Sequence, residues 1–353
     1  MYNIVLGFLT AFGMTYFAIP SIIRIAINKN LCDEPGERRS HVTPTPSLGG
    51  IGIFVGMLFS IILWTPFEYF GDLQYILCSF IVIFLIGAKD DIEPMSPYKK
   101  LVGELIAAAI LVFKSDVKIT SLYGIFGINE IPDLVAIPLS IFVIIVIINA
   151  FNLIDGINGL SGSIGTLICA VLGFWFYLTG YFVLAGIAFS LAGSIVAFLF
   201  YYVTPAKIFM GDTGALLLGT VGSILTIKFI EVHKELIADN SPHTFSAVPA
   251  IAVSILILPL YDTLRVFTMR AMKGKSPFHP DRTHIHHLLI DSGLNHMNAT
   301  GVLVLVNIGF MALAVSLQQI GTFYLLLVIL GLATGLSAFL FYLVGRKKKA
   351  VNL

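Results

Sequence analysis

Residues 134–152 read LVAIPLSIFVIIVIINAFN and run on into Leu153-Ile154-Asp155-Gly156-Ile157-Asn158-Gly159-Leu160-Ser161-Gly162. The first stretch is 19 residues without a charge. That length crosses a hydrocarbon layer roughly 30 Å thick as a helix. The second stretch is amides, one carboxylate and glycines. Asn149, Asn152, Asp155 and Asn158 recur every three residues, which puts them near one face of a continuing helix. A polar stripe leaving the bilayer suits a polar ligand such as a nucleotide, and the glycines let backbone come close to it. No Lys-Ser/Thr pair follows, so this is not a phosphate-binding P-loop. A tight helix–helix connection packed by small residues is the plainer alternative.

The pattern repeats along the chain. The 353 residues are 57% hydrophobic and 12% charged, against about 25% charged in soluble domains, and the mean hydropathy is +0.94. Eleven apolar segments of spanning length are expected, near 2–26, 48–66, 73–89, 99–114, 134–152, 159–179, 181–202, 213–231, 245–264, 298–317 and 321–344. The sequence therefore predicts an all-α, polytopic membrane protein, one embedded domain over 1–353. Residues 1–25 lack a basic leader and an A-x-A site, so they read as a retained first span. The fourth segment carries Lys100 and Glu104, spaced as an i,i+4 pair.

Lysine and arginine set the orientation. With the N-terminus outside and the C-terminus inside, Lys114, Lys118, Lys228 and Lys234 fall outside and the other 17 of 21 basic residues fall inside. Residues 117–131 then form a small periplasmic hairpin. The net charge is +1, and no basic patch interleaved with aromatics points to nucleic acid. Cys32, Cys78 and Cys169 have neither a zinc spacing nor a paired framework, and read as reduced.

The ionisable clusters share one address, the cytosolic ends of the spans. Asp90-Asp91 closes the third span, Asp155 the fifth, and Asp262 nearly closes the ninth. Carboxylates are disfavoured at helix C-termini, and a local rule broken three times in one place points to function. Marking the interface is the alternative, with Lys89 and Arg265 as balancing charges. Asp212, in Phe209-Met210-Gly211-Asp212, is placed to cap the eighth span or to meet a phosphate–metal pair. Phe209 could stack on a base. Arg282-Thr283-His284-Ile285-His286-His287 reads as a phosphate-binding cluster, with zinc the alternative. Arg38, Arg39 and His41 lie in a basic inner loop that could hold an anionic lipid head; Lys100 is a further candidate for that role.

Carboxylates for Mg²⁺, an amide stripe, an aromatic and a basic histidine cluster suit phosphoryl transfer from a nucleoside diphosphate to a lipid phosphate. A secondary transporter would place its charges at the bilayer midplane in paired halves; the acids here gather at helix ends, and no such halves are found.

Five ordered motifs resemble the polyprenyl-phosphate N-acetylhexosamine-1-phosphate transferases, which include the WecA/TagO initiators of surface glycans and the MraY translocase. They are Pro44-Thr45-Pro46-Ser47-Leu48-Gly49-Gly50, Asp90-Asp91, Asn152…Asp155-Gly156, Phe209-Met210-Gly211-Asp212 and His284-Ile285-His286-His287. The resemblance implies ten or eleven spans and a cytosolic active site in a bacterial inner membrane. It implies Asp212 as a ligand of Mg²⁺ (or Mn²⁺), with Asn152 as a second contact. Asp90 would be the base towards the lipid phosphate, with Asp91 and Asp155 beside it in the catalytic group. Asn152, Asp155, Asn158 and Phe209 would line the uridine pocket, and Arg282, His284, His286 and His287 would grip the pyrophosphate and sugar. The His-Ile-His-His form is similar to the WecA/TagO branch, implying UDP-GlcNAc as donor, undecaprenyl phosphate as acceptor and UMP as product. UDP-GalNAc, a deoxy-amino sugar or UDP-MurNAc-pentapeptide are the alternatives. Many bacterial members have Asp where this chain has Asn158, which argues against an acid or base role there. A homodimer is compatible with the family.

Overall fold

A computed structural model describes residues 3–33, 45–203, 205–274 and 283–351. Arg38, Arg39, His41 and Arg282 lie outside the described residues.

The apolar runs fold as helices: α1 (Ile4–Asn28), α2 (Gly49–Trp64), α3 (Phe70–Ile92), α4 (Pro97–Lys114), α5 (Asp133–Ile154), α6 (Leu160–Leu178), α7 (Phe182–Tyr202) and α8 (Gly211–Ala238). The short α9 (Val248–Ile255) and α10 (Ile257–Met272) follow, then α11 (Ile285–Asp291), α12 (His296–Ser316) and α13 (Thr322–Val351). Every expected segment is helical. Among the described residues, eight helices are long and apolar enough to span a membrane, and the α9–α10 pair makes a ninth if counted as one. The other two expected spans are α2, with 16 residues, and α4, which carries Lys99, Lys100, Glu104 and Lys114 in 18. The chain is thus an all-α, multi-pass membrane protein.

The most enclosed helix is α8, with 89% of its apolar window buried inside the fold. It packs against α5 and α3, and α2 and α6 complete its surroundings. In its first turn the approach is close enough that a side chain on Gly50 of α2 would overlap the Gly214 backbone. A cross-chain seam fixes that approach: Phe209 donates its N–H to the Pro46 carbonyl at 2.7 Å, and Gly49 and Gly50 donate theirs to the carbonyls of Phe209 and Met210 at 2.9 and 2.8 Å.

The ninth expected span is not a continuous helix. It bends by 81° between α9 and α10. Pro259 stands in the third position of α10, where it has no N–H to give to the Ile255 carbonyl and its ring crowds that oxygen. Asn307 of α12, 0% exposed, completes the break. Its Nδ2 donates to the Ile255 carbonyl at 3.1 Å, and its Oδ1 accepts from the Leu258 N–H at 3.3 Å. One amide side chain meets the backbone groups that hydrocarbon would leave bare. Because α10 restarts at Ile257, Asp262 lies in its second turn and not at a span end.

The hairpin expected over 117–131 is present, with β3 (Ser121–Ile125) antiparallel to β4 (Ile128–Glu130), Ile125 facing Ile128. Glu231 near the end of α8 ties it down, accepting from the Thr120 N–H and hydroxyl at 2.8 and 2.7 Å. A second two-stranded ladder pairs β1 (Cys32–Asp33) with β2 (Thr45–Pro46). None of the three cysteines is in a disulfide.

Candidate active site

The end of the bundle opposite the hairpin gathers the C-termini of α3, α5 and α7 with the N-termini of α4, α6 and α8. Asp90 and Asp91, in the last turn of α3, part company there. Asp91 turns to α8: its Oδ1 accepts from the Asp212 N–H at 2.7 Å, and its Oδ2 accepts from the Thr213 N–H and hydroxyl at 3.0 and 2.5 Å. It therefore caps a neighbouring helix and meets that helix's positive end, which offsets the unfavourable end of its own. The expected capping role of Asp212 is thereby corrected. Asp212 is the second residue of α8 and uses no side-chain cap.

Its carboxylate is left for the cleft. Lys100, in the first turn of α4, lies 3.1 Å from Asp90 Oδ2 and is hydrogen-bonded to Asp212 Oδ2. Two carboxylates from α3 and α8 thus converge on one cation. The expected Lys100–Glu104 pairing is replaced. Glu104, 1% exposed, accepts from Asn149 Nδ2 at 2.5 Å.

The amide stripe does not continue as a helix. The α5 helix stops at Ile154 with Asp155 as its cap residue, and the chain turns through Gly159 at φ 82° before α6, a conformation glycine takes without strain. Asn158 is carried away from the others. It is 4% exposed, its N–H faces His296 Nδ1 at 3.4 Å and its carbonyl accepts from Thr300 at 3.0 Å. Asn152 stays half-buried on α5. Asp155 Oδ1 accepts from Ser161 Oγ at 2.5 Å and from the Tyr202 hydroxyl at 3.0 Å. Burial pushes its carboxyl up to about 6, although those two hydrogen bonds pull the other way. Tyr202 also meets Phe209 edge-on, ring centres 6.3 Å apart, and so links Asp155 to the segment that leads into Asp212.

The histidines stand at the start of α11. Asp262 organises them: its Oδ2 meets His284 Nδ1 at 2.8 Å, and its Oδ1 accepts from Arg265 at 2.8 Å and from the Ile285 N–H at 3.0 Å. Arg265 also donates to the Thr283 carbonyl at 2.5 Å. His286 is 2% exposed and fills the space a Cβ at Gly156 would need, with Cε1 at 2.9 Å from that position. Burial, reinforced by His287, lowers its pKa to about 3, so it is neutral at physiological pH. His287, half-buried, is the most accessible of the three, its ring centre 4.3 Å from that of His286.

The structure thus brings Asp90, Asp91, Lys100 and Asp212 into one cluster, with Asp155 and Phe209 joined to it through Tyr202. The histidines dock on the Asp155–Gly156 turn. Sequence reading overlooked Ser161, Tyr202 and Thr213. Ser161 and Tyr202 sit at the ends of apolar spans, where a hydroxyl is unremarkable; Thr213 beside Asp212 was the fairer signal.

Among the described residues no group of three or more His, Cys, Asp or Glu side chains has metal-holding geometry. Mg²⁺ asks for less: one or two carboxylates, with phosphate and water oxygens completing an octahedron. Asp90 and Asp212, hard oxygen donors already converging on a cation, fit that demand.

Comparison with known proteins shows the family. The profile of glycosyl transferase family 4 matches residues 73–230, from α3 to α8. A probable undecaprenyl-phosphate N-acetylglucosaminyl 1-phosphate transferase of Bacillus subtilis is 30% identical over 321 residues, 90% of this chain and 86% of the relative. An undecaprenyl-phosphate alpha-N-acetylglucosaminyl 1-phosphate transferase of Haemophilus influenzae is 33% identical over 277 residues, covering 76% and 74%. A decaprenyl-phosphate N-acetylglucosaminephosphotransferase of Mycobacterium tuberculosis is 28% identical over 315 residues, covering 84% and 78%. The chain belongs to glycosyl transferase family 4, the polyprenyl-phosphate N-acetylhexosamine-1-phosphate transferases.

Proposed function

We propose that the protein transfers GlcNAc-1-phosphate from UDP-GlcNAc to undecaprenyl phosphate, at the cytosolic face of a bacterial inner membrane. The single observation that carries this reading is the convergence of Asp90 and Asp212, 122 positions apart in sequence, on one cation. The GlcNAc donor is supported by the names of the relatives, and the cytosolic face by the distribution of Lys and Arg.

In the reaction, an oxygen of the lipid phosphate bonds to the phosphorus that carries the sugar. The bond from that phosphorus to the bridging oxygen breaks, and UMP leaves with the electron pair. Mg²⁺, held by Asp212 and Asp90, would neutralise charge on the pyrophosphate as the bridge opens. Asp91 keeps the first turn of α8 in place, so that Asp212 presents its carboxylate. Asp90 also orients the incoming lipid phosphate. Asp155, Asn152 and Phe209 take the uridine. His287 contacts the pyrophosphate, and the buried His284 and His286 hold α11 at the right height.

The test is UMP release by purified protein in detergent, given undecaprenyl phosphate with UDP-GlcNAc, UDP-GalNAc or UDP-MurNAc-pentapeptide. Release with UDP-GlcNAc alone, lost on chelation and restored by Mg²⁺, is expected. Asp212→Ala should abolish it in a folded protein. Normal turnover by that variant would remove Asp212 from the cation site, and preference for another donor would overturn the sugar assignment.

A further inference from the structure

Glu104 has no part in the proposed reaction, yet it is as buried as Asp262. It is 1% exposed on α4, a helix flanked by apolar segments. A carboxylate in such surroundings is costly unless it is well partnered. Here one oxygen, Oε2, accepts from Asn149, whose Nδ2 also donates to the Ile145 carbonyl at 3.0 Å. Oε1 accepts no hydrogen bond from a described residue. One amide is thin compensation for a buried charge.

The missing partner stands one turn away. Lys100 and Glu104 are four apart on α4, so their side chains share a face. Lys100 is engaged elsewhere, between Asp90 and Asp212, the same two carboxylates that fit a divalent cation. An ammonium and a divalent ion cannot share that pair, because their charges repel at contact distance. When the ion enters, Lys100 must leave, and its aliphatic stem lets the charge swing along the helix.

We propose that Glu104 is a positioning residue that receives the Lys100 ammonium when a divalent cation takes the Asp90–Asp212 pair. The free cleft then keeps Lys100 as a resident counter-ion, and Asn149 holds Glu104 ready for it. This rests on the proposed cation site, and it assigns the neighbouring Lys–Glu pair the task of vacating that site.

The experiment is Mn²⁺ binding to the full-length protein in detergent, read by electron paramagnetic resonance without nucleotide or lipid. Glu104→Gln keeps the side-chain shape and an oxygen for Asn149, but removes the charge. It should weaken Mn²⁺ binding at least about threefold, while Lys100→Gln should tighten it by a similar factor. In the Lys100→Gln background, Glu104→Gln should change nothing further. Glu104→Asp, which keeps the charge, should lie nearer wild type than Glu104→Gln does. If Glu104 merely pins α4 to α5, Glu104→Gln acts equally in both backgrounds, and the proposal fails. Wild-type protein that binds Mn²⁺ with no response to Glu104→Gln also overturns it, leaving the cation site intact. Wild-type protein that binds no Mn²⁺ overturns both.

Discussion

Asp91 accepts the backbone N–H of Asp212 at 2.7 Å, so a carboxylate at the end of one helix caps the helix that presents another. Two acids with opposite duties are thereby held side by side. One is spent on backbone and the other is left for a cation. Asp91→Ala should remove three hydrogen bonds to α8 and cost about 1–2 kcal/mol, as losing a helix cap does. Asp91→Asn should retain part of it. Thermal unfolding in detergent orders the two, with wild type above Asn and Asn above Ala. Equal melting of Asp91→Ala and wild type would show that the cap holds nothing.

Asp155 titrates within the working range. Its folded pKa of about 6 lies above the ordinary 3.8, so the neutral form is the favoured one in the fold. The stability this confers is present below about pH 3.8 and is lost as pH rises through about 6, and it amounts to at most about 3 kcal/mol. A nucleotide pocket that uses the ionised form should lose kcat/KM below about pH 6. The Tyr202 hydroxyl favours the charged form, so Tyr202→Phe should move that acid limb to higher pH. A limb that stays put would separate Asp155 from the ionisation that governs binding.

Gly156 and His286 should be coupled. A methyl at 156 meets the imidazole, and overpacking of this kind costs about 1–3 kcal/mol. Gly156→Ala should therefore lower the melting temperature, and the Gly156→Ala/His286→Ala pair should lose less than the sum of the two single variants. Strict additivity would mean that the turn and α11 move apart freely.

Asn307→Leu keeps the volume near the break between α9 and α10 but strips two backbone groups of their partner. A loss of about 1–3 kcal/mol is expected, read by thermal unfolding. Unchanged stability would mean that the bend needs no side-chain support.

The spans were legible because hydrocarbon thickness leaves few choices, and their polar ends were legible because each aspartate stood out against an apolar background. What escaped was everything carried by pairs distant in sequence. Pro259 marked the break in the ninth span, but a proline inside a membrane helix is tolerated when a neighbour meets the freed groups, and Asn307 is 48 positions away. The Lys100–Glu104 spacing favoured a local ion pair, and two carboxylates from other helices outbid it. The three-residue rhythm from Asn149 to Asn158 was real in sequence but crossed a helix end, where Gly156 and Gly159 redirect the chain. Asp91 and Asp212 each looked catalytic, yet the structure separates their duties by which atoms they meet.

The three backbone bonds between Pro46–Gly50 and Phe209–Met210 join stretches of chain made far apart in time. When Asp90, Asp91 and Lys100 have left the ribosome, the surface that receives them has not been synthesised. A half-made chain therefore holds its acids without the helix end that Asp91 caps. The site is whole only when the chain has also supplied α10 and α11, whose Asp262 and histidines follow α8 in sequence.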